Sequence, residues 1–167
     1  PISILKVAAG DNKNLIAVHS LSKRSNLAGY RAALIVGDPN IIGEIREVRK
    51  HAGMMVPQPI QKALTVALQD ETHVKSQADK YAKRRKQLQP ALEKAGFKVE
   101  FSNAGLYIWC TRDESSWDSV AWLSELGILV APGSFYGPAG EKHIRIALTA
   151  KDEAIADAAN RITSAAK

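Results

Sequence analysis

One lysine, Lys23, lies among small hydroxyl residues in residues 20–31, which are SLSKRSNLAGYR. An arginine, Arg31, follows the lysine by eight residues and comes shortly after Gly29. A lysine amine can form a Schiff base with an aldehyde when the amine is partly desolvated. The planar guanidinium of an arginine can bind a phosphate group through two parallel hydrogen bonds. The spacing therefore indicates a site for an aldehyde that carries a phosphate.

Two serines extend this possible site. Ser20 and Ser22 can supply hydroxyl donors to the same phosphate. Gly29 permits the turn that would bring Arg31 back toward Lys23, since glycine adopts backbone conformations that other residues avoid. The alternative is that Lys23 is an ordinary surface lysine in a loop, because a Ser-Lys pair alone has no specificity.

The elements that position this segment are two short apolar runs, residues 15–18 and 31–36. Both are rich in strand formers and predict buried strands of a parallel sheet. In open α/β sheets, ligands bind at the carboxyl ends of the strands, where this segment lies. Asp38 and Pro39 then predict the N-cap and first turn of a helix. A second helix is predicted around residues 60–68.

The remaining chain predicts a long helix followed by a compact α+β lobe. The long polar helix begins at Asp70 and runs toward Gly96, which suits a C-terminal cap, and Pro90 should kink it. The lobe has about 70 residues, a common size for a small domain. Strands are predicted at 97–101, 106–110, 128–130 and 144–148, and amphipathic helices at 116–126 and 151–165. The fold class is therefore α/β.

Residues 20–31 resemble the lysine motif of the class I, fold type I aminotransferases that depend on pyridoxal 5'-phosphate. The resemblance implies that Lys23 is the catalytic lysine, which also carries the cofactor as a Schiff base. It implies that Ser20 and Arg31 bind the cofactor phosphate, and that Ser22 is a weaker cofactor-binding position. The implied fold is the C-terminal part of this transferase fold, a remnant of the large parallel-sheet domain with the small domain.

The resemblance continues near the end of the chain. Residues 131–137 resemble the family's Pro-Gly-x-x-Phe-Gly loop, with Tyr136 where the family has phenylalanine. Residues 143–148 resemble the strand whose arginine binds the substrate carboxylate, a role that would fall to Arg145. A bidentate pair of this kind fixes the orientation of an amino acid. The alternative for Arg145 is an ion pair with an acid such as Glu141.

The sequence is most similar to the N-succinyldiaminopimelate aminotransferases of bacterial lysine biosynthesis, on residues 19–31, 70–74 and 127–133. The resemblance implies an enzyme that transfers an amino group between N-succinyl-LL-2,6-diaminopimelate and 2-oxoglutarate or glutamate. Its partners would be a small amino acid and a 2-oxo acid. The intact enzyme would be a homodimer.

The resemblance covers only the C-terminal part of a family enzyme. It implies that residues 1–70 belong to a truncated large cofactor-binding domain, residues 71–95 to a connecting long helix, and residues 96–167 to the small domain. The family's acid and tyrosine at the cofactor ring lie upstream of the lysine motif. We therefore expect the isolated chain to have little or no aminotransferase activity.

Composition and charge narrow the other possibilities. The single cysteine, Cys110, excludes a disulfide framework and a multi-cysteine zinc site, and it favours a reducing cytoplasm. We expect no signal peptide, no membrane span and no metal site.

The net charge is +6, with a basic cluster in residues 80–86. The helix over residues 75–94 could therefore belong to a nucleic-acid-binding module, although a solvated face is the more common outcome. A non-catalytic interaction domain also stays open.

Overall fold

The computed structural model describes residues 2–166, so Pro1 and Lys167 lie outside the described residues. The chain divides into two compact units, of which the first runs to Lys75 and the second starts at Ser76. The boundary falls inside one long helix. Both units have antiparallel strands, but they differ in the number of strands and in how many apolar side chains they bury.

The first unit contains four helices and two strands. In chain order they are α1 (Ile4–Val7), β1 (Ile16–Ser20), α2 (Leu21–Arg24), β2 (Ala33–Gly37), α3 (Pro39–His51) and α4 (Gln58–Gln69). A 3-10 turn, Ala28–Tyr30, lies between α2 and β2. The segment with the candidate lysine is therefore the connection between the two strands.

Strands β1 and β2 pair antiparallel, with Ile16 opposite Gly37 and Ser20 opposite Ala33. The parallel pairing predicted for them is wrong. A parallel pair needs a crossover that returns the chain to the same end of the sheet, whereas residues 21–32 form two short turns that reverse it. The prediction of a buried strand is also wrong for β1, where Val18 is 68% exposed.

Helix α3 begins as predicted, with Asp38 as its N-cap. The Asp38 carboxylate accepts hydrogen bonds from the backbone N–H of Asn14 at 2.7 Å and of Asn40 at 2.8 Å. These N–H groups hold the pKa of the Asp38 carboxyl below its usual value, with Asn14 contributing most. One side chain thus caps α3 and fixes the turn that precedes β1.

The second unit contains an antiparallel sheet of four strands, in the order β3-β4-β6-β5. Its elements are α5 (Thr72–Lys94, which starts in the first unit), β3 (Lys98–Glu100), β4 (Tyr107–Thr111), α6 (Ser116–Glu125), β5 (Ala131–Pro132), β6 (His143–Ala147) and α7 (Asp152–Ala165). Helix α5 contains Pro90, and it starts two residues later than predicted.

Left-handed residues end both α5 and α6. Gly96 has a φ of +84°, and the next N–H, of Phe97, donates to the carbonyl of Leu92 at 3.0 Å. This confirms the predicted cap. Gly127 ends α6 in the same way, and Ile128 donates to Leu123 at 2.9 Å. The predicted strand at residues 128–130 is therefore wrong, because the helix cap takes up Ile128 and pairing begins only at β5.

Alternation along β4 and β6 builds the core of the second unit. Ile108, Cys110, Ile144 and Ile146 point into the core. Arg145 and Trp109, which alternate with them, therefore lie on the opposite face of the sheet. Burial raises the pKa of the Cys110 thiol to about 12, which suits a packing residue and not a nucleophile.

None of the helices in the described part of the chain is both long and apolar enough to cross a membrane.

Candidate functional site

Ser20, Ser22, Lys23 and Arg31 all lie on the connection between β1 and β2 or at its edge. Ser20 is the N-cap of α2, and its Oγ accepts from the Ser22 N–H at 3.2 Å. The same Oγ donates to the Ser22 hydroxyl at 3.0 Å. Leu21 is buried between the two serines. The two hydroxyls are therefore held together immediately before Lys23, whose side chain is exposed.

Arg31 itself adopts the left-handed conformation that was expected of Gly29. Its φ is +51°, and Asn26 has a φ of +54°, whereas Gly29 has no positive φ. Gly29 does lie in the 3-10 turn Ala28–Tyr30, but that turn does not use the conformational freedom of glycine, because Gly29 has no positive φ. Left-handed residues other than glycine are strained and cluster at functional sites. The Arg31 Nη1 donates to the carbonyl of Ala28 at 2.8 Å, which leaves most of its exposed guanidinium donors available.

The connection carries positive charge without an acid. Residues 20–31 contain no Asp or Glu. Among residues 2–166, no carboxylate lies within 4.0 Å of the Lys23 amine or the Arg31 guanidinium. Arg24 has a different role, since it pairs with Glu71 and donates to the Ala67 carbonyl at 3.2 Å. An amine can form a Schiff base with an aldehyde, and two hydroxyls and a guanidinium can donate to a phosphate. The residue types on this connection therefore fit pyridoxal phosphate.

A cavity of about 960 Å³ also lies in the first unit. Arg31 lines it together with apolar side chains of β2 and α3, including Ile35 and Ile42, and with Arg46. Ser20, Ser22 and Lys23 do not line it. The cavity is therefore distinct from the group of donors around Lys23, and it shares only Arg31 with that group.

Arg145 lies in β6 of the second unit, opposite Trp109 of β4 and Ala131 of β5. Its guanidinium carbon is 4.2 Å from the ring centroid of Tyr107 and 4.9 Å from that of Tyr136. Its Nε is buried and has no hydrogen-bond partner within residues 2–166. No carboxylate of those residues lies within 4.0 Å, so the alternative ion pair with an acid such as Glu141 does not form.

The acid on the same sheet is engaged elsewhere. Glu100 of β3 pairs with Lys98 at 2.6 Å and with His143 at 3.2 Å. Hydrogen bonds from these two side chains hold the pKa of the Glu100 carboxyl below its usual value. His143 in turn stacks on Trp109, with ring centroids 5.0 Å apart. The positive charge of Arg145 is therefore not neutralised by its own sheet.

The aromatic contacts of Arg145 were not found from the sequence. Tyr107 and Trp109 alternate along β4 and therefore share a face, which is a signal that the strand pattern contains. The pairing of β4 with β6 is what brings that face to Arg145, and no local pattern specifies it.

The basic cluster in α5 is partly used inside the second unit. Arg84 donates to Asp152 at 2.6 Å and to the Leu148 carbonyl at 2.9 Å. Arg85 donates to the Gly105 carbonyl at 2.5 Å. Two of the basic side chains thus hold α5 against α7 and two loops of its own unit, while Lys80, Lys83 and Lys86 are exposed. No group of three or more His, Cys, Asp or Glu side chains with metal-binding geometry occurs in residues 2–166.

A family comparison identifies the chain. The family model described as aminotransferase class I and II matches residues 1–162. The chain belongs to this family. Its members and the structural neighbours of the chain are enzymes that depend on pyridoxal phosphate.

Two curated relatives are more than half identical to the chain. A probable aminotransferase of Mycobacterium tuberculosis is 57% identical over 165 residues, which is 98% of this chain and 40% of the relative. The 4-dedimethylamino-4-oxo-anhydrotetracycline transaminase OxyQ of Streptomyces rimosus is 58% identical over 165 residues, which is 98% of this chain and 46% of the relative. An LL-diaminopimelate aminotransferase of Oleidesulfovibrio alaskensis is 35% identical and covers 98% of this chain and 43% of the relative. The chain therefore spans less than half the length of these relatives.

Solved aminotransferase structures match the whole fold. An aminotransferase of Neisseria meningitidis has a TM-score of 0.89 and 30% identity, covering 100% of this chain and 45% of that one. A probable N-succinyldiaminopimelate aminotransferase of Thermus thermophilus has a TM-score of 0.78 and 25% identity, covering 93% of this chain and 43% of that one. These matches confirm the α/β fold class as the C-terminal part of a pyridoxal-phosphate transferase fold.

Proposed function

We propose that this chain is the C-terminal part of a pyridoxal-phosphate aminotransferase, in which Lys23 is the catalytic lysine. The observation that carries the proposal is the connection between β1 and β2. It places Ser20, Ser22, Lys23 and Arg31 on one short segment that contains no acid. Family membership supports the same assignment.

Each residue has a role that its chemistry allows. Ser20, Ser22 and Arg31 hold the phosphate, while Lys23 binds the aldehyde carbon. The bound cofactor supplies an electron sink for the substrate Cα. Once the substrate amine has replaced it at the aldehyde carbon, the free Lys23 amine would take the proton from Cα and later return a proton, acting as general base and then general acid. Arg145 binds the substrate carboxylate through two parallel N–H donors and so orients the amino acid.

We further propose that the amino group is transferred between N-succinyl-LL-2,6-diaminopimelate and 2-oxoglutarate or glutamate. The Oleidesulfovibrio alaskensis relative and the Thermus thermophilus structure, both named for diaminopimelate compounds, support this choice at 35% and 25% identity. The two relatives above 55% identity have other names, one of them for a tetracycline precursor. A cytoplasmic homodimer agrees with this function. Residues 1–70, 71–95 and 96–167 would then be the remnant of the large domain, the connecting helix and the small domain.

Reduction with borohydride tests the cofactor site on this chain. We expect pyridoxal phosphate and borohydride to attach a pyridoxyl group to Lys23, which peptide mass spectrometry locates. Lys23→Ala should abolish this product, while Lys13→Ala and Lys62→Ala, which change other exposed lysines of the first unit, should not. Arg31→Gln should weaken cofactor binding about tenfold or more, because a hydrogen bond between charged groups is lost, whereas Arg46→Gln should not. Uniform labelling of all these lysines would refute the assignment.

A chimera tests the substrate. The upstream part of the Mycobacterium tuberculosis relative, joined to this chain, supplies the residues that lie before the lysine motif. We expect transamination of N-succinyl-LL-2,6-diaminopimelate with 2-oxoglutarate to be faster than two other reactions. These are transamination of LL-diaminopimelate with 2-oxoglutarate and of 4-dedimethylamino-4-oxo-anhydrotetracycline with glutamate. A preference for either of the other two would replace the proposed substrate and leave the aminotransferase assignment in place.

A further inference from the structure

Arg145 is a half-buried cation without an acid partner in the described chain, and the two aromatic rings of Tyr107 and Tyr136 contact it instead. We propose that these two tyrosines are positioning residues, which hold the guanidinium by cation–π contact so that it can bind a carboxylate. The inference rests on the proposed role of Arg145. In this proposal the two rings hold the guanidinium in place, a role that a carboxylate side chain has for most buried arginines.

The sheet register fixes the first ring. Trp109 is directly opposite Arg145, and Tyr107 is two residues earlier in β4, on the same face and diagonal to Arg145. Long and aromatic side chains reach such diagonal neighbours. Tyr107 is paired with Ala147, whose small side chain leaves space over this part of the sheet. The centroid of the Tyr107 ring therefore lies 4.2 Å from the guanidinium carbon of Arg145.

A closely packed turn fixes the second ring. Tyr136 ends the 3-10 turn Gly133–Tyr136, and its ring forms a T-shaped pair with the Trp109 ring at a centroid distance of 6.0 Å. Gly133 packs directly on the backbone of Gly140, where any Cβ would collide. The turn is thereby held against the sheet, although the Tyr136 ring itself is half exposed.

Aromatic contacts suit an arginine that must bind an external anion. The negative face of a ring attracts the guanidinium. The aromatic ring does not neutralise the charge of the guanidinium, and it occupies none of the N–H donors in the guanidinium plane. A carboxylate partner would do both, and it would compete with the ligand. Since Glu100 pairs with Lys98 and His143, the sheet provides no such competitor.

Nitrogen-15 NMR of the full chain tests the proposal. The Nε–H signal of Arg145, assigned by its loss in Arg145→Lys, should be displaced by ring currents and should exchange slowly with water. Tyr107→Leu and Tyr136→Leu should each move it toward the position of an exposed arginine, whereas the corresponding Phe variants should retain it. Tyr30→Leu, an exposed tyrosine of the first unit, is the matched control.

Titration with 2-oxoglutarate gives a second readout that a merely structural role would not follow. Each Leu variant should bind about three- to tenfold more weakly than the wild type, which is within the range of cation–π energies. Each Phe variant should bind within about twofold of the wild type, because the ring remains. The melting temperature of each variant shows whether folding is retained, and if Tyr107→Leu does not fold, the exposed Tyr136 decides the question alone.

The results separate the two proposals. An Arg145 signal that is unchanged in both Leu variants, or that is lost equally in the Phe variants, would overturn the positioning role. A wild-type chain that fails to bind 2-oxoglutarate, or that binds it equally well as Arg145→Lys, would count against the carboxylate role of Arg145. The Nε–H signal would still decide whether the tyrosines position the side chain.

Discussion

The two units have similar lengths but very different cores. Among the described residues 2–166, the hydrophobic core of the first unit contains three buried side chains, Leu21, Ala32 and Leu64, whereas that of the second contains fifteen. In the first unit, side chains such as Val18, Val48 and Val66 are at least 67% exposed. The candidate lysine thus lies in the unit with the weaker core, and the candidate carboxylate site lies in the unit with the stronger one.

The difference between the two cores shows how much helix caps and turns can stabilise a structure without a large core. The first unit has well-formed caps and turns, such as the Asp38 cap of α3. A cap contributes little compared with the burial of apolar side chains, which is the main source of stability. The second unit has capped helices and also a large set of buried apolar side chains. It therefore contains the sources of stability that an independent domain needs.

Separating the units should have the largest effect. A segment of residues 76–167 should fold alone and unfold cooperatively, because it retains the whole fifteen-residue core. A segment of residues 1–75 should lack cooperative unfolding, because three buried side chains cannot offset the loss of chain entropy. Circular dichroism during urea titration measures both. Cooperative unfolding of residues 1–75 would break the comparison.

Removing one core side chain of the second unit should have the next largest effect. Leu123 is 0% exposed, so Leu123→Ala should lower the free energy of unfolding by about 2–5 kcal/mol. Leu129 of the same unit is 93% exposed, so Leu129→Ala should change it by less than about 0.5 kcal/mol. All three tryptophans lie in the second unit, so their fluorescence follows its unfolding. Equal effects of the two substitutions would contradict a tightly packed core.

One glycine in each unit sharpens the contrast further. In the second unit, Gly133→Ala should cost about 1–3 kcal/mol, because the added methyl group would collide with the backbone of Gly140. In the first unit, a methyl group on Gly43 of α3 meets nothing within 4 Å. Gly43→Ala should therefore stabilise α3 by up to about 1 kcal/mol. Amide hydrogen exchange at each position measures both, and a stabilising Gly133→Ala would show that the turn at Gly133 is loosely packed.

Lowering the pH should have the smallest effect on stability, and it should destabilise both units. The N–H groups of Asn14 and Asn40 lower the pKa of Asp38 in the first unit, and the Arg84 guanidinium lowers that of Asp152 in the second. A carboxyl with a lowered folded pKa contributes stability above its unfolded value, near 3.8 here. That contribution is lost as the pH falls through the folded value.

Neutral variants isolate these contributions. Asp38→Asn and Asp152→Asn should each flatten the acid side of the stability profile for their own unit, as measured by amide hydrogen exchange between pH 5 and 3. A profile that keeps its full slope in Asp152→Asn would show that the Arg84 pair does not contribute to acid sensitivity.

The sequence predicts this fold best where short-range chemistry decides. The cap at Asp38 and the cap at Gly96 depend on a few neighbouring residues, and both predictions are confirmed. The antiparallel pairing of β1 with β2 was missed, because the turns between them depend on left-handed conformations at Asn26 and Arg31. Neither residue is a glycine, so composition gives little sign of those turns.

The candidate sites divide in the same way. The group around Lys23 was predicted from one continuous segment, and the structure places its members on one connection. The surroundings of Arg145 depend on strand register and on a turn, which bring Tyr107 and Tyr136 together from opposite sides of α6 in the sequence. Long-range pairing of this kind cannot be read from a local pattern.

Position 31 has two requirements, a left-handed backbone conformation and, in the proposed function, a side chain that binds an anion. Glycine would satisfy the backbone without strain, but it would remove the guanidinium. Lysine would keep a charge, but it would keep the strain and lose the planar fork. The residue best for folding and the residue best for binding an anion are therefore different here. The first unit, which has the smaller core, keeps the one that favours binding.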